Sequence, residues 1–138
     1  MAIFGWSYGG FMAANCLFNS NTAFKTAIAV APVTDWNLYD NVYTERYMRT
    51  PEENPKGYSQ FNPISAAEKL KGNFMLVHGT ADENVQLQHS LALIKALNDA
   101  NKSYRFYIYP DGAHGIGNNK TRYDLYLKMF QYLNETLK

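Results

Sequence analysis

A single cysteine stands in 138 residues, so no internal disulfide can form. It is Cys16, inside an apolar run, where a small buried side chain is expected rather than a reactive thiol. Charge of one sign is also lacking. Thirteen Lys and Arg against twelve Asp and Glu leave a formal net charge of +1. That balance gives no argument for a nucleic-acid partner or an acidic membrane surface. No apolar run approaches the roughly 20 residues that a membrane-spanning helix needs. The three histidines are scattered along the chain, so neither a metal site nor a cofactor is expected. Internal repeats, low-complexity tracts and linkers are missing as well. With 46% hydrophobic residues, the length fits one globular domain with its own core.

What the chain does have is a G-x-S-x-G turn, Gly5-Trp6-Ser7-Tyr8-Gly9, followed by Gly10. Apolar residues fit for a strand end precede it, and a helix-compatible run, residues 11–18, follows. Strand, sharp turn and helix is the context of a nucleophile elbow, with the serine at the tip. Glycines are expected around it because a Cβ would clash in the crossing of strand and helix. The start of the following helix then points free N–H groups and partial positive charge at the serine, which suits a developing oxyanion. Two later stretches have matching form. Phe74-Met75-Leu76-Val77 runs into His78-Gly79-Thr80-Ala81-Asp82, and Tyr104-Arg105-Phe106-Tyr107-Ile108-Tyr109 runs into Pro110-Asp111-Gly112-Ala113-His114. Serine, aspartate and histidine each follow a strand-like run, in the chain order of α/β-hydrolases. Loops beyond the carboxyl ends of parallel strands build the site in open α/β sheets, so the three can converge.

The remaining elements follow from periodicity. Strands are expected at 2–5, 25–31, 74–78 and 104–109, and helices at 7–19, 63–70, 86–101 and 121–137. The first helix should stop at the Asn19-Ser20-Asn21 cluster. Leu87, Leu91, Ile94 and Leu97 or Leu93 should face the core in the third of these helices, and Tyr123, Leu127, Phe130 and Leu133 or Leu137 in the last. Residues 33–62 form a long polar, aromatic excursion with a short helix near 37–43 and irregular structure around Pro51, Pro55 and Gly57. Such excursions are usually functional. Strand–helix alternation implies a parallel sheet with right-handed crossovers. The expected fold is therefore a three-layer α/β-hydrolase truncated to about four parallel strands with flanking helices.

Four blocks carry a resemblance that covers essentially the whole chain. They are Gly5 to Gly10, Asp40-Asn41-Val42-Tyr43-Thr44-Glu45-Arg46-Tyr47-Met48, His78-Gly79-Thr80-Ala81-Asp82-Glu83-Asn84-Val85, and His114-Gly115-Ile116. Together they resemble the dipeptidyl peptidase IV branch of the prolyl oligopeptidase family. The second and third blocks are far more specific than the first. The resemblance implies a serine exopeptidase that releases dipeptides with proline or alanine in second position. It also implies that residues 1–138 are the C-terminal portion of one hydrolase catalytic domain, with earlier strands and a β-propeller outside the chain. The start only four residues before the elbow fits that expectation.

Residue by residue, the resemblance makes Ser7 the nucleophile, His114 its base and Asp82 the acid that orients His114. The Tyr8 N–H becomes one oxyanion donor. The family's second donor, an upstream tyrosine, and its paired glutamates for the substrate amine are not among these residues, so the isolated chain is expected to be inactive. Tyr8, Val33, Trp36, Tyr39, Tyr43 and Val85 match the family's aromatic proline pocket, and Asn84 matches the donor to the carbonyl of the substrate's first residue. Read without the resemblance, Trp36, Tyr39 and Tyr43 fall at i, i+3 and i+7 of one helical face and would be core.

Blander readings apply elsewhere. His78 is expected to be structural and satisfied by backbone, and His89 solvated on a helix. Asp111 is read as a turn residue, not as the triad acid. Three N-x-S/T triplets, at Asn101, Asn119 and Asn134, are explained by chance. Compartment is unknown, although the resemblance suggests a periplasmic, cell-surface or secreted enzyme. A homodimer is expected, because strand 2–5 would be an open edge and the helix with Met12, Cys16 and Leu17 an open apolar face. Alternatives are an acylaminoacyl-peptidase or esterase of the same fold, or a non-catalytic relative used for binding.

Overall fold

A computed structural model describes residues 1–19 and 23–138. Ser20 and Asn21, part of the expected helix stop, lie outside the described residues. Asn19 itself caps the helix, its N–H donating to the Asn15 carbonyl at 2.9 Å.

Four strands form one parallel sheet in sequence order: β1 (Ala2–Trp6), β2 (Thr26–Val30), β3 (Asn73–Gly79) and β4 (Arg105–Tyr109). β2 and the apolar part of β3 are buried on both faces, which is why they read as continuous apolar runs rather than alternating ones. Their side chains still sort by the two-residue period. Ala27, Ala29, Phe74 and Leu76 join one core with Ala14, Leu17 and Phe18 of α1 (Tyr8–Phe18) and Leu93 and Leu97 of α4 (Gln88–Asp99). Ile28, Val30, Met75 and Val77 join the other with Leu125, Met129 and Tyr132 of α5 (Asn119–Thr136). The result is helix on sheet on helix, with every strand's carboxyl end at one rim.

The strands lie within about a residue of expectation, while one correction concerns residues 63–70 and two concern the excursion. Its first part is not one helix. A 3-10 turn at Trp36–Leu38 is capped by Asp35, and α2 (Asn41–Met48) starts afresh because the Asp40 carboxylate accepts from Tyr43 N–H at 2.9 Å. Pro55 does not mark irregular structure but opens α3 (Pro55–Gln60), capped by Asn54. At 63–70 only a 3-10 turn, Ala67–Lys69, forms. Asn62 accepts from Ser65 N–H at 2.7 Å and Ser65 Oγ donates back to the Asn62 carbonyl at 2.9 Å, so a local turn competes with the helix.

The helix faces also need correction. In α4 the buried stripe is His89, Ser90, Leu93 and Leu97, while Leu87 is half-buried and Leu91 is 51% exposed. In α5 Leu125, Met129 and Tyr132 face inward with Leu133 partly buried, whereas Tyr123, Leu127, Phe130 and Leu137 point outward. The sequence pattern is ambiguous there because both faces carry apolar residues, and the sheet takes the slimmer one. On α1, Leu17 is buried in the first core instead of lying on an open face, Cys16 is half-buried, and Met12 is exposed.

Candidate active site

Ser7 follows β1 directly and caps α1 with φ 59° and ψ −121°, a backbone region that side chains avoid. The turn is held by Ser7 N–H donating to the Val30 carbonyl at 2.9 Å and Phe11 N–H donating to Ser7 O at 3.1 Å. Gly5 is obligatory, because a Cβ there would lie 1.9 Å from the Gly9 carbonyl oxygen. The crossing of strand and helix is thus as tight as the sequence implied on that side. Gly9 departs from the expectation, since a Cβ there would meet nothing. Tyr8 is the first residue of α1, so its N–H belongs to the helix start, where intrahelical partners are lacking.

The loops after β3 and β4 are tied to each other before any side chain acts. Thr80 N–H donates to Tyr109 O and Ala81 N–H to Gly112 O, each at 3.0 Å, and Asp111 N–H donates to Thr80 Oγ1 at 2.8 Å. That close approach puts Asp82 against His114. His114 Nδ1 lies 2.8 Å from Asp82 Oδ2, with the carboxylate buried. The other oxygen, Oδ1, accepts from Asn84 N–H at 3.0 Å and Val85 N–H at 2.9 Å. Asp82 is therefore a fixed acceptor, and with Nδ1–H donated to it the free Nε2 of His114 is a base. Asp111 is an exposed turn residue at φ 57°, as expected. The elbow joins this pair through its neighbour: the Trp6 indole Nε1–H donates to the His114 carbonyl at 2.9 Å.

The aromatic residues of the excursion converge beside the elbow. Trp36 stacks on Tyr43 with ring centroids 6.0 Å apart, Tyr39 meets both rings edge-on at 6.0 and 5.5 Å, and Tyr8 lies 6.1 Å from Trp36. Behind them Val33 and Val85 are buried with Phe11 and Tyr58. A groove of about 490 Å³ opens along Tyr8, Phe11, Trp36, Tyr43, Tyr47 and Met48. Phe11, Tyr47 and Met48 were not among the expected wall residues, although the helical spacing of Tyr43 and Tyr47 could have suggested the latter. Tyr39 Oη donates to Asn84 Oδ1 at 2.6 Å, which leaves the Asn84 amide nitrogen turned away from it and free to donate. Burial first, then Asp40, pushes the Tyr39 hydroxyl above the ordinary tyrosine range, so it stays a donor.

His89 is not solvated. It is fully buried where α4 packs on the excursion. Thr34 N–H donates to its Nδ1 at 3.1 Å and Thr34 Oγ donates to its carbonyl at 2.7 Å, and its ring stands 6.3 Å from Tyr39. Burial, then the neighbouring His78, lowers its pKa to about 4, so it is neutral. His89 thereby ties the strand-to-pocket loop to α4, a role that its place in a polar stretch concealed.

Sequence comparison adds to this geometry. The model of the prolyl oligopeptidase family matches residues 1–138. The chain belongs to the prolyl oligopeptidase family. A protein of Aspergillus oryzae named "Probable dipeptidyl-aminopeptidase B" is 44% identical over 137 residues, covering 96% of this chain and 15% of that protein. The "Dipeptidyl peptidase 4" of Sus scrofa is 44% identical over 138 residues, covering 98% of this chain and 18% of its own length. The crystal structure of Porphyromonas gingivalis dipeptidyl peptidase 4 superposes with a TM-score of 0.95 at 45% identity, over 98% of this chain and 19% of that one. The chain thus spans under a fifth of the length of these relatives, and the resemblance read from the four motif blocks is to the same branch of the family.

Proposed function

We propose that this chain is the C-terminal portion of the catalytic domain of a serine exopeptidase that releases N-terminal dipeptides through an acyl-enzyme. The observation that carries the reading is the His114–Asp82 pair, 2.8 Å apart at the rim and tied through Trp6 to the strained turn bearing Ser7. Ser7 Oγ attacks the scissile carbonyl while His114 Nε2 takes its proton. Asp82 holds the imidazole with Nε2 free and stabilises the imidazolium. The Tyr8 N–H donates to the oxyanion. His114 then passes the proton to the leaving amine, and water repeats the sequence to free the dipeptide.

The preference we propose, for proline or alanine as the second residue, is supported by the interlocked rings of Trp36, Tyr39 and Tyr43 over Val33 and Val85. A pyrrolidine is compact, apolar and without N–H, so flat apolar walls select it by shape. Asn84, oriented by Tyr39, serves the carbonyl of the first residue. The relatives' names, dipeptidyl peptidase and dipeptidyl-aminopeptidase, support the dipeptide product.

We also propose a homodimer. Its support moves from α1 to α5, where Tyr123, Tyr126, Leu127 and Phe130 form an exposed apolar stripe. Strands preceding this chain in the whole enzyme would cover the open edge of β1.

Fluorophosphonate labelling of an active peptidase that contains this chain, read by mass spectrometry, tests the assignment. The label is expected on Ser7, with release of Xaa-Pro dipeptides lost in step. Label on another residue overturns it.

A further inference from the structure

The mechanism above leaves the two buried histidines, His78 and His89, unused, and His78 is the one beside Asp82. His78 lies at the end of β3, four residues before Asp82 and fully buried. Its Nε2 is 2.7 Å from the Val85 carbonyl oxygen and 3.3 Å from Asp82 Oδ2, and its Nδ1 is 2.6 Å from Ser90 Oγ in the first turn of α4. Only one tautomer fits. A carbonyl oxygen accepts and never donates, so Nε2 carries the hydrogen. Nδ1 is then an acceptor, and the Ser90 hydroxyl must donate to it. Burial disfavours a charge on the ring and holds its pKa below the ordinary histidine range.

Asp82 Oδ2 therefore has a histidine on either side, His114 at 2.8 Å and His78 at 3.3 Å. We infer that His78, with its tautomer set by the Val85 carbonyl and its ring anchored by the Ser90 hydroxyl, is a positioning residue for the triad acid and for the turn that carries Asn84 and Val85. One ring holds the Asp82 carboxylate toward His114 and the Val85 carbonyl in place, so acid and pocket keep their mutual geometry. The titratable groups facing this ring are Asp82 and His114 from the rim loops and His89 from α4. Asp82 and His89 are buried while His114 is partly exposed, and Asp82 carries the only charge among them when both imidazoles are neutral.

The consequence is electrostatic as well as steric. A neutral donor on Oδ2 draws charge density from the carboxylate. Without it Asp82 is the stronger acceptor, the His114 imidazolium is favoured, and the acid limb of kcat/KM moves to higher pH. A residue that only filled space would lower the amount of folded enzyme and leave that limb where it was.

This inference rests on the reading of Ser7, Asp82 and His114 as a triad. The test uses an active peptidase containing this chain, with rates expressed per Ser7 titrated by fluorophosphonate, so that losses of folded enzyme cancel. Ser90→Ala is the mild variant and His78→Leu the severe one. His78→Gln, which keeps a donor and an acceptor, is the rescue. His78→Leu, which deletes the donor on Oδ2, is expected to lower kcat about tenfold through misplacement of the acid and to raise the midpoint of the acid limb by about half a pH unit. Ser90→Ala, which keeps that donor, should fall between it and the unsubstituted enzyme. His78→Gln should retain more kcat than His78→Leu. An unchanged limb and kcat in His78→Leu overturns the inference while leaving the triad reading intact. Failure of the unsubstituted enzyme to take label on Ser7 overturns both.

Discussion

Trp36, Tyr39 and Tyr43 at the rim stand 5.5–6.0 Å from one another, backed by the buried Val33 and Val85, whereas Tyr123, Tyr126 and Phe130 on α5 project into solvent. The residue types are the same and the surroundings are opposite. At the rim the rings are fixed before any ligand arrives, by capped short turns, by the Tyr39–Asn84 hydrogen bond and by the tie from Thr34 to His89. Their faces form a concave wall suited to a small rigid ring. On α5 they follow one side of an 18-residue helix and make a convex stripe suited to a flat partner. Aromatic density by itself therefore says nothing of purpose; the packing behind the rings decides it.

The largest expected effect lies at the rim. In an active peptidase containing this chain, Asp82→Asn should lower kcat by about 10⁴, since the imidazole loses the acceptor that fixes its tautomer. Asp111→Asn should leave kcat nearly unchanged, because only the Asp111 backbone N–H is engaged there. Steady-state rates on an Xaa-Pro substrate decide between them, and the reverse ranking would mean that the wrong acid has been chosen.

Truncation of matched aromatics sharpens the contrast. Trp36 is 8% exposed and Tyr123 is 72% exposed. Trp36→Ala should cost about 3–5 kcal/mol of stability, and Tyr123→Ala within about 0.5 kcal/mol. Denaturant unfolding measures both. Similar losses at the two sites would show that the rim rings are not a packed wall.

These regions were unequally legible. The rim motifs could be read because their chemistry fixes residue types at fixed places. A turn in which a Cβ on Gly5 would lie 1.9 Å from a carbonyl oxygen admits no side chain there, and an acid that accepts from two N–H groups and a histidine cannot be swapped. The helices could not be read so well. Periodicity assigns a face only when the opposite face is polar, and α5 offers Leu125, Met129 and Tyr132 on one side and Tyr123, Leu127 and Phe130 on the other. His89 was misread for a related reason. It sits between Gln88 and Ser90 in sequence, and only tertiary packing reveals that Thr34 engages its Nδ1 and its carbonyl.

Acid tests the tie that keeps the rim concave. With its pKa lowered to about 4 in the folded protein by burial, His89 is neutral in both folded and unfolded chains well above the unfolded value of about 6.5, and stability is then complete. Below that value the unfolded chain takes up a proton that the folded protein refuses, so stability falls with pH until about 4. At pH 5 the loss should be about 2 kcal/mol. His89→Gln should reduce the difference in unfolding free energy between pH 7 and pH 5 by about that amount. An equal loss in both proteins would show that His89 does not carry the acid sensitivity.

The smallest expected effect on the folded subunit is the one that most directly tests the convex region. Phe130 is 62% exposed at the C-terminal end of the α5 stripe, so its ring gives little to the fold of a single chain. Phe130→Glu should therefore change the stability of the monomer by no more than about 0.5 kcal/mol. In a two-fold dimer built on this stripe the same residue would meet its own surroundings across the axis. The substitution then buries two unpaired carboxylates near one another, which is costly when the interface is dry. Light scattering across a dilution series should show the unsubstituted protein passing from dimer to monomer at far lower concentration than the variant. If Phe130→Glu leaves the dilution curve where it was, while a charge introduced at Phe4 or Met12 shifts it, the association surface lies on the β1 side, and the α5 stripe has another purpose.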